Sequence, residues 1–348
     1  MGRTDGPERS VAPHNVVYDF APPHPLARQF ETLWMVRQLV AAVRRHRPDV
    51  LFCAGNTYTI VAALARAILG PECPPIVCKL SNSLDRRDLP WPIRFGYRVW
   101  LRQHRHFIDH FVGLSEPMRE EIERFLKVPT EQIAIIPNPV LTAADLGQLS
   151  GPTSAMRRAD GRRFVAVGRL TRQKNYGLLL RAFARAARAN DRLVIVGDGP
   201  ERRRLQRKAA RLGLTDLVDF TGHISSVTEL LKTADVFVTS SNYEGLPGAV
   251  VEALAAGKPI VATESSTCLC ARLRHGELGE LVPIRDASAL GEALRNAPAR
   301  EVPLSSMRST AARYAVEQSA HLFLDVLAAA AGSRESGWTE FEKLAEAA

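Results

Sequence analysis

Short apolar runs alternate with longer amphipathic stretches along most of the chain. Apolar runs at 15–18, 50–53, 76–80, 110–113 and 133–136 predict strands in the first half; runs at 164–167, 193–196, 218–221 and 236–239 predict strands in the second. Between them, 27–46, 57–69, 92–106 and 116–125 are predicted as helices, as are the basic stretch 201–212 and the late stretch 307–330. Strands that alternate with helices build parallel sheets covered by helices, which makes the fold class α/β. A chain of 348 residues is long enough for two such units. Pro137-Asn138-Pro139 and the polar stretch 147–163 mark the link between them. The expected division is 1–150, 151–305, and 306–348 as carboxyl-terminal helices and tail, with 331–348 a mobile tail or short surface helix.

Candidate chemistry concentrates after the strand 236–239. Glu244 lies in the loop and Glu252 eight residues later, with Gly245, Leu246 and Pro247 between them. Pro247 suits the start of a helix, because its missing N–H has no helical partner there, and the amides near it would face a ligand. Glu252 then lies more than one turn inside, so the two acids reach different parts of one molecule. A pair of unrelated surface acids would have the same spacing, so the context has to decide. The strand 164–167 ends in Gly168-Arg169, with Lys174 five residues after the arginine. A guanidinium fork and a compact ammonium suit a diphosphate, although a solvated loop would also carry such charges. Gly197-Asp198-Gly199 and Gly222 follow two further strands; Gly-x-Gly alone is a weak signal.

Taken in order, Gly168-Arg169 with Lys174, Gly197-Asp198-Gly199, Gly222, Glu244-Gly245-Leu246-Pro247 through Glu252, and Ala256-Gly257-Lys258-Pro259 resemble the carboxyl-terminal half of the retaining glycosyltransferases of family four, over about 162–300. The resemblance implies the GT-B fold: two Rossmann-like, doubly wound domains facing a cleft, with the carboxyl-terminal helices crossing back onto the first domain. It implies that Arg169 and Lys174 hold the diphosphate of a nucleotide-sugar, that Glu252 accepts from ribose hydroxyls, and that Glu244 contacts the donor sugar. Arg169, Lys174 and Glu244 are then the catalytic set, and Gly168, Gly197, Gly199, Gly222, Gly245, Leu246, Pro247 and Glu252 bind the donor. It further implies retention of anomeric configuration, a UDP-sugar as the favoured donor, a saccharide or lipid-linked acceptor in cell-surface polysaccharide or glycoconjugate synthesis, and no metal or other cofactor.

The first half departs from the family pattern. The opening apolar strand and its glycine-pair loop are missing, so the amino-terminal domain is expected to be shortened, or the chain to start downstream of the true beginning. A histidine often found near the acceptor is replaced by Ser81-Asn82, which become the acceptor-side candidates and are equally suited to a simple turn. These departures keep a non-catalytic nucleotide-binding relative in view as the alternative.

Charge and cysteines add little. The net charge is +9, yet only seven of 46 basic residues are lysine and the arginines are spread over nearly every helix. No nucleic-acid module is visible, so nucleic acid is not an expected partner. There is no stretch of about 20 apolar residues and no secretory pattern, which points to the cytoplasm, with peripheral contact at the inner membrane face as an option. Arg94, Arg98, Arg102 and Arg105 recur at helical spacing beside Trp91, Phe95, Tyr97 and Val99. That stretch fits an ordinary packed helix, favoured here, or one lying on anionic lipid. Five scattered cysteines fit a reducing compartment, and Cys268-Leu269-Cys270 has no matching pair to complete a metal site.

Overall fold

The computed structural model describes residues 30–86, 89–151, 161–297, 301 and 303–332. The first sheet has four strands, β1 (Leu51–Ala54), β2 (Ile76–Lys79), β3 (His110–Gly113) and β4 (Ile133–Ile135), in that order. The second has six, β5 (Arg163–Val167), β6 (Arg192–Val196), β7 (Val218–Gly222), β8 (Val236–Thr239), β9 (Ile260–Thr263) and β10 (Glu280–Val282), in the order β10-β9-β8-β5-β6-β7. Every strand pair is parallel. Strands buried on both faces read as unbroken apolar runs, which is why Val236-Phe237-Val238 and Ile260-Val261-Ala262 carry no alternation. In the second sheet the order reverses between β5 and β8, and the crevice at the carboxyl ends of such strands is where open α/β sheets bind ligands.

The strands of the first sheet alternate with α1 (Glu31–His46), α2 (Thr59–Leu69), α3 (Trp91–Gln103) and α4 (Glu116–Leu126). Val36, Val40 and Val43 supply the inward stripe of α1, and Lys127, left-handed at φ 60°, ends α4 by donating its N–H to the Glu123 carbonyl. In the second half, α6 (Tyr176–Ala186), α7 (Arg202–Arg211) and α11 (Ala287–Asn296) pack together, while α5 (Ala143–Ser150), α8 (Thr228–Thr233), α9 (Gly248–Ala255) and α12 (Leu304–Ala312) form another group. The short α10 (Thr267–Arg272) packs on α4, which joins the two halves. Finally α13 (Val316–Gly332) sets Val326 and Ala330 against Val77, Val112, Ala134 and Ile136 of the first sheet. The outgoing and returning chain segments bond to each other, the Val140 and Leu141 N–H groups donating to the Tyr314 carbonyl at 3.0 and 3.2 Å.

The expected strands of the first half appear within a residue or two, except 15–18, which lies outside the described residues, as do the start of the helix expected at 27–46 and residues 333–348. The helix expected over 92–106 ends at Gln103, and its last three residues tighten into a 3₁₀ turn. The polar stretch 147–163 that marks the link begins inside a helix, since α5 continues to Ser150. A reciprocal cap starts it: the Thr142 hydroxyl accepts from the Asp145 N–H, and the Asp145 carboxylate accepts from the Thr142 N–H at 2.9 Å.

Candidate functional site

The loops leaving β5 and β8 are laced together. The Asn242 N–H donates to the Gln173 carbonyl at 2.8 Å and its side-chain amide to the Arg172 carbonyl at 2.9 Å. In return the Gln173 amide donates to the Tyr243 carbonyl at 3.1 Å, and Asn175, left-handed at φ 46°, donates to the Asn242 side chain at 3.0 Å. Ser240 Oγ closes the seam on the Lys174 carbonyl at 2.9 Å. On the other side the β5 loop leans on the loop after β6, with the Gly168 and Leu170 N–H groups donating to Val196 and Asp198. Gly197 has φ 128°, and a Cβ there would stand 2.2 Å from the Gly168 carbonyl oxygen, so only glycine lets the two loops meet. Its N–H donates to the Gly222 carbonyl. Gly197 and Gly222 therefore shape the seat of the β5 loop, and Gly199 backs onto Leu170 in the same way.

Within this seat Lys174 and Glu244 meet directly. Lys174 Nζ lies 2.5 Å from Glu244 Oε1, and the Ser241 hydroxyl donates to the same oxygen at 2.7 Å. Both charges are largely withdrawn from water, the side chains being 17% and 7% exposed. Tyr176 lies close by, its hydroxyl donating to the Gly168 carbonyl at 3.1 Å; burial, then the Glu244 charge, push its pKa up. Arg169 is exposed, and its side chain makes no hydrogen bond or ion pair among the described residues. The two cations grouped by spacing are thus in different states, one open and one held by a carboxylate.

The β8 loop then enters α9. Gly245, Leu246 and Pro247 are buried, and Pro247 caps the helix. Among the described residues the N–H groups of Gly245, Leu246 and Gly248 have no hydrogen-bond partner, leaving donors at the positive end of α9. Glu252 lies in the second turn, half-buried; burial, then the Asp145 carboxylate, raise its carboxyl above the ordinary 4.5.

The first sheet supplies the facing wall. Ser81 follows β2 and donates its N–H to Asn56 Oδ1 at 2.9 Å; a Cβ on Gly245 would stand 2.1 Å from the Ser81 carbonyl oxygen, so the two halves touch backbone to backbone. The Ser83 N–H donates to the Glu244 carbonyl at 3.1 Å, and the Arg86 guanidinium lies 3.7 Å over the Tyr243 ring. Buried Glu121 on α4 completes the closure. It accepts from Ser83 Oγ at 3.0 Å and the Leu84 N–H at 2.8 Å in its own half, and from Thr267 Oγ1 at 2.5 Å in the other. Ser81 and Asn82 are therefore brought beside the Glu244 loop.

Sequence reasoning passed over Ser241, Asn242, Tyr176 and Glu121. One signal for Glu121 was available: Met118, Ile122 and Phe125 form the inward stripe of α4, and an acid three residues after Met118 falls on that stripe. The arginine helix α3 differs from expectation. Of the apolar residues assigned to its packing, Tyr97 packs on the core, whereas Trp91, Phe95 and Val99, with Ile93, are exposed; the Trp91 and Phe95 rings stack at 6.1 Å. Arg98 turns to Asp85 at 3.2 Å, and Arg94 is half-buried while Arg102 and Arg105 are exposed. Among the described residues no three His, Cys, Asp or Glu side chains gather as a metal site, and no helix is long and apolar enough to cross a membrane.

Comparison with known proteins fits this architecture. Residues 2–139 match the glycosyl transferase 4-like domain family, and 155–315 match the glycosyl transferases group 1 family. The chain is 33% identical over 265 residues to the uncharacterized glycosyltransferase MJ1059 of Methanocaldococcus jannaschii, covering 70% of this chain and 62% of that protein. It is 33% identical over 154 residues to the lipopolysaccharide core biosynthesis glycosyltransferase LpsE of Rhizobium meliloti, covering 44% and 43%. The chain spans less than two thirds of the length of the first curated relatives it matches. Among solved structures, Anabaena Alr3699/HepE in complex with UDP superposes with a TM-score of 0.63 at 21% identity, covering 88% of this chain and 84% of that one. Two parallel α/β sheets, a GT-B neighbour and two family matches that together cover both halves agree: the chain belongs to the group 1, GT4-like family of GT-B glycosyltransferases.

Proposed function

We propose that the chain moves a sugar, with retention, from a nucleoside diphosphate sugar to a saccharide or lipid-linked acceptor, with UDP-sugar as donor, in the synthesis of surface polysaccharide or glycoconjugate. The observation that carries this reading is the meeting of the β5 and β8 loops on the Lys174–Glu244 pair, opposite Ser81 and beside the open Arg169. The names of relatives such as LpsE support the acceptor class, and the UDP held by HepE supports the base. The domain division 1–150, 151–305 and 306–348 is kept as part of the proposal.

In this reading Arg169 receives the diphosphate first, because its guanidinium is free to fork two phosphate oxygens. The diphosphate then competes with Glu244 for Lys174, and the released carboxylate turns to the sugar hydroxyls. Glu252 accepts from the ribose, and the free amides at Gly245, Leu246 and Gly248 face the negative charge. The anomeric C–O bond to the diphosphate breaks, the acceptor oxygen bonds on the same face, and its proton passes to the departing diphosphate. Lys174 stabilises the charge that develops there, which is where a fixed cation acts most strongly. No protein nucleophile and no metal take part in this scheme.

Calorimetric titration with UDP, GDP and ADP tests the reading. UDP should bind selectively, and Arg169→Ala or Glu252→Ala should weaken it by about tenfold or more, the loss of one charge-assisted contact. A folded chain that binds none of the three, or variants that bind like the wild type, would sink the assignment in favour of a non-catalytic relative.

The exposed Trp91, Ile93, Phe95 and Val99 beside Arg94, Arg102 and Arg105 suit peripheral contact with an anionic membrane surface, where a lipid-linked acceptor resides. Trp91→Ser with Phe95→Ser should lower binding to phosphatidylglycerol vesicles by roughly tenfold or more, since each ring buries apolar area in the interface. Equal sedimentation of variant and wild type would remove this surface from the proposal.

A further inference from the structure

A second basic cluster lies outside the cleft. Between the start of α6 and the side of α7 is a cavity of about 250 Å³, smaller than the roughly 300–1,000 Å³ of drug-sized pockets. It shares Asn175 and Asn242 with the laced loops, but neither Lys174, Glu244 nor any residue of the first sheet lines it. Four cations line it, Arg172, Arg181, Arg204 and Lys208, against one acid, Glu201. That acid is taken by Arg204 at 2.8 Å, with Arg172 at 4.0 Å. The side chains of Arg181 and Lys208 make no hydrogen bond or ion pair among the described residues.

The placement of these cations runs against elementary electrostatics. Lys208 is partly buried above the first turn of α6, its Nζ 3.3 Å from where a Cβ on Gly177 would stand. The start of a helix is its positive end, where acids are favoured and cations are not. Yet α6 has no acid in its first turn and no side-chain cap, and the N–H groups of Tyr176 and Gly177 have no partner among the described residues. Burial, then Arg181 and Arg204, hold the Lys208 ammonium below its usual range, as expected for a cation among like charges. A half-enclosed cavity with surplus positive charge from three side chains and two free amides is complementary to a small, compact dianion.

We propose that this cavity is a second anion site, taking a phosphate group, free or on a small phosphorylated compound or lipid headgroup, on Lys208, Arg181, Arg204 and the amides of Tyr176 and Gly177. An occupant braces Asn175 and Asn242, and through them the loop that carries Lys174, so the site is placed to tune the cleft without being part of it.

The test is thermal unfolding of the full chain with inorganic pyrophosphate as probe, comparing wild type, Arg169→Ala and the double variant Lys208→Gln/Arg181→Gln. Saturable stabilisation should persist in Arg169→Ala and need about tenfold more pyrophosphate in the double variant, the loss of charge-assisted contacts. Without anion, the double variant should melt at or above the wild type, because like charges have been removed. Loss of the effect in Arg169→Ala with none in the double variant would place the anion in the cleft and overturn the proposal. So would a saturable effect in neither, or a lower Tm of the double variant without anion. Given pyrophosphate binding, phosphatidylglycerol vesicles identify the source. Vesicle binding weakened in the double variant assigns a headgroup phosphate; vesicle binding unchanged assigns a soluble anion. Because Arg169→Ala reports the cleft separately, failure of this site and failure of the donor reading give different results.

Discussion

Glu244→Leu alone is expected to destabilise the protein by about 3–5 kcal/mol, because it strands the Lys174 ammonium in a site largely withdrawn from water. For a unit of this size that is a fall in Tm of roughly 10 °C. Lys174→Met alone should cost a similar amount by stranding the carboxylate, which among the described residues retains only the Ser241 hydroxyl as donor. The double variant should recover most of the loss, since an apolar pair of similar volume removes both desolvated charges together. Sugar transfer should remain lost in all three. In Glu244→Leu, assayed below its Tm, affinity for free UDP should hold or rise, because Lys174 no longer has a carboxylate to leave before it meets the diphosphate. A double variant as unstable as the sum of the singles would show that the pair is not coupled. Free-nucleotide affinity falling further than turnover in Glu244→Leu would assign Glu244 to the nucleotide rather than to the sugar.

That pair also marks where the sequence stops being informative. The strand and helix pattern was legible because each core strand is an unbroken apolar run and each covering helix has a stripe such as Val36, Val40 and Val43. The order of loops was legible because Gly168, Gly197 and Gly222 punctuate the ends of β5, β6 and β7. Spacing could not say that Lys174 bonds to Glu244 while Arg169 stays open, since that depends on how two loops about 70 residues apart in the chain are laced by Gln173, Asn175 and Asn242. Nor could it foresee that Trp91, Phe95 and Val99 stay exposed, because an amphipathic pattern names a face and not what covers it. Glu121 was legible in principle, as a charge on an apolar stripe, but its three donors come from the loop after β2 and from the start of α10, and no local pattern joins them.

Those three donors make Glu121 the residue on which closure of the cleft should depend. Glu121→Leu leaves the Leu84 N–H and the Ser83 and Thr267 hydroxyls without their acceptor, at a cost of about 1–3 kcal/mol for each donor that finds no other partner. Thr267→Val is the sharper experiment, because it removes the one of these bonds that crosses between the halves and keeps the side chain's volume. The closed arrangement, in which Ser83 bonds to the Glu244 carbonyl and Ser81 rests on Gly245, should lose about 1–2 kcal/mol relative to an open one, a shift of roughly tenfold in their ratio. Small-angle scattering should show a larger radius of gyration, and sugar transfer should fall while UDP affinity, set within the second half, stays near wild type. Scattering and transfer both unchanged in Thr267→Val would reduce Glu121 to a local support for the Ser83–Leu84 turn. An equal loss of UDP affinity and transfer would mean that the donor is held by both halves together, with the Ser81 loop as part of its binding site.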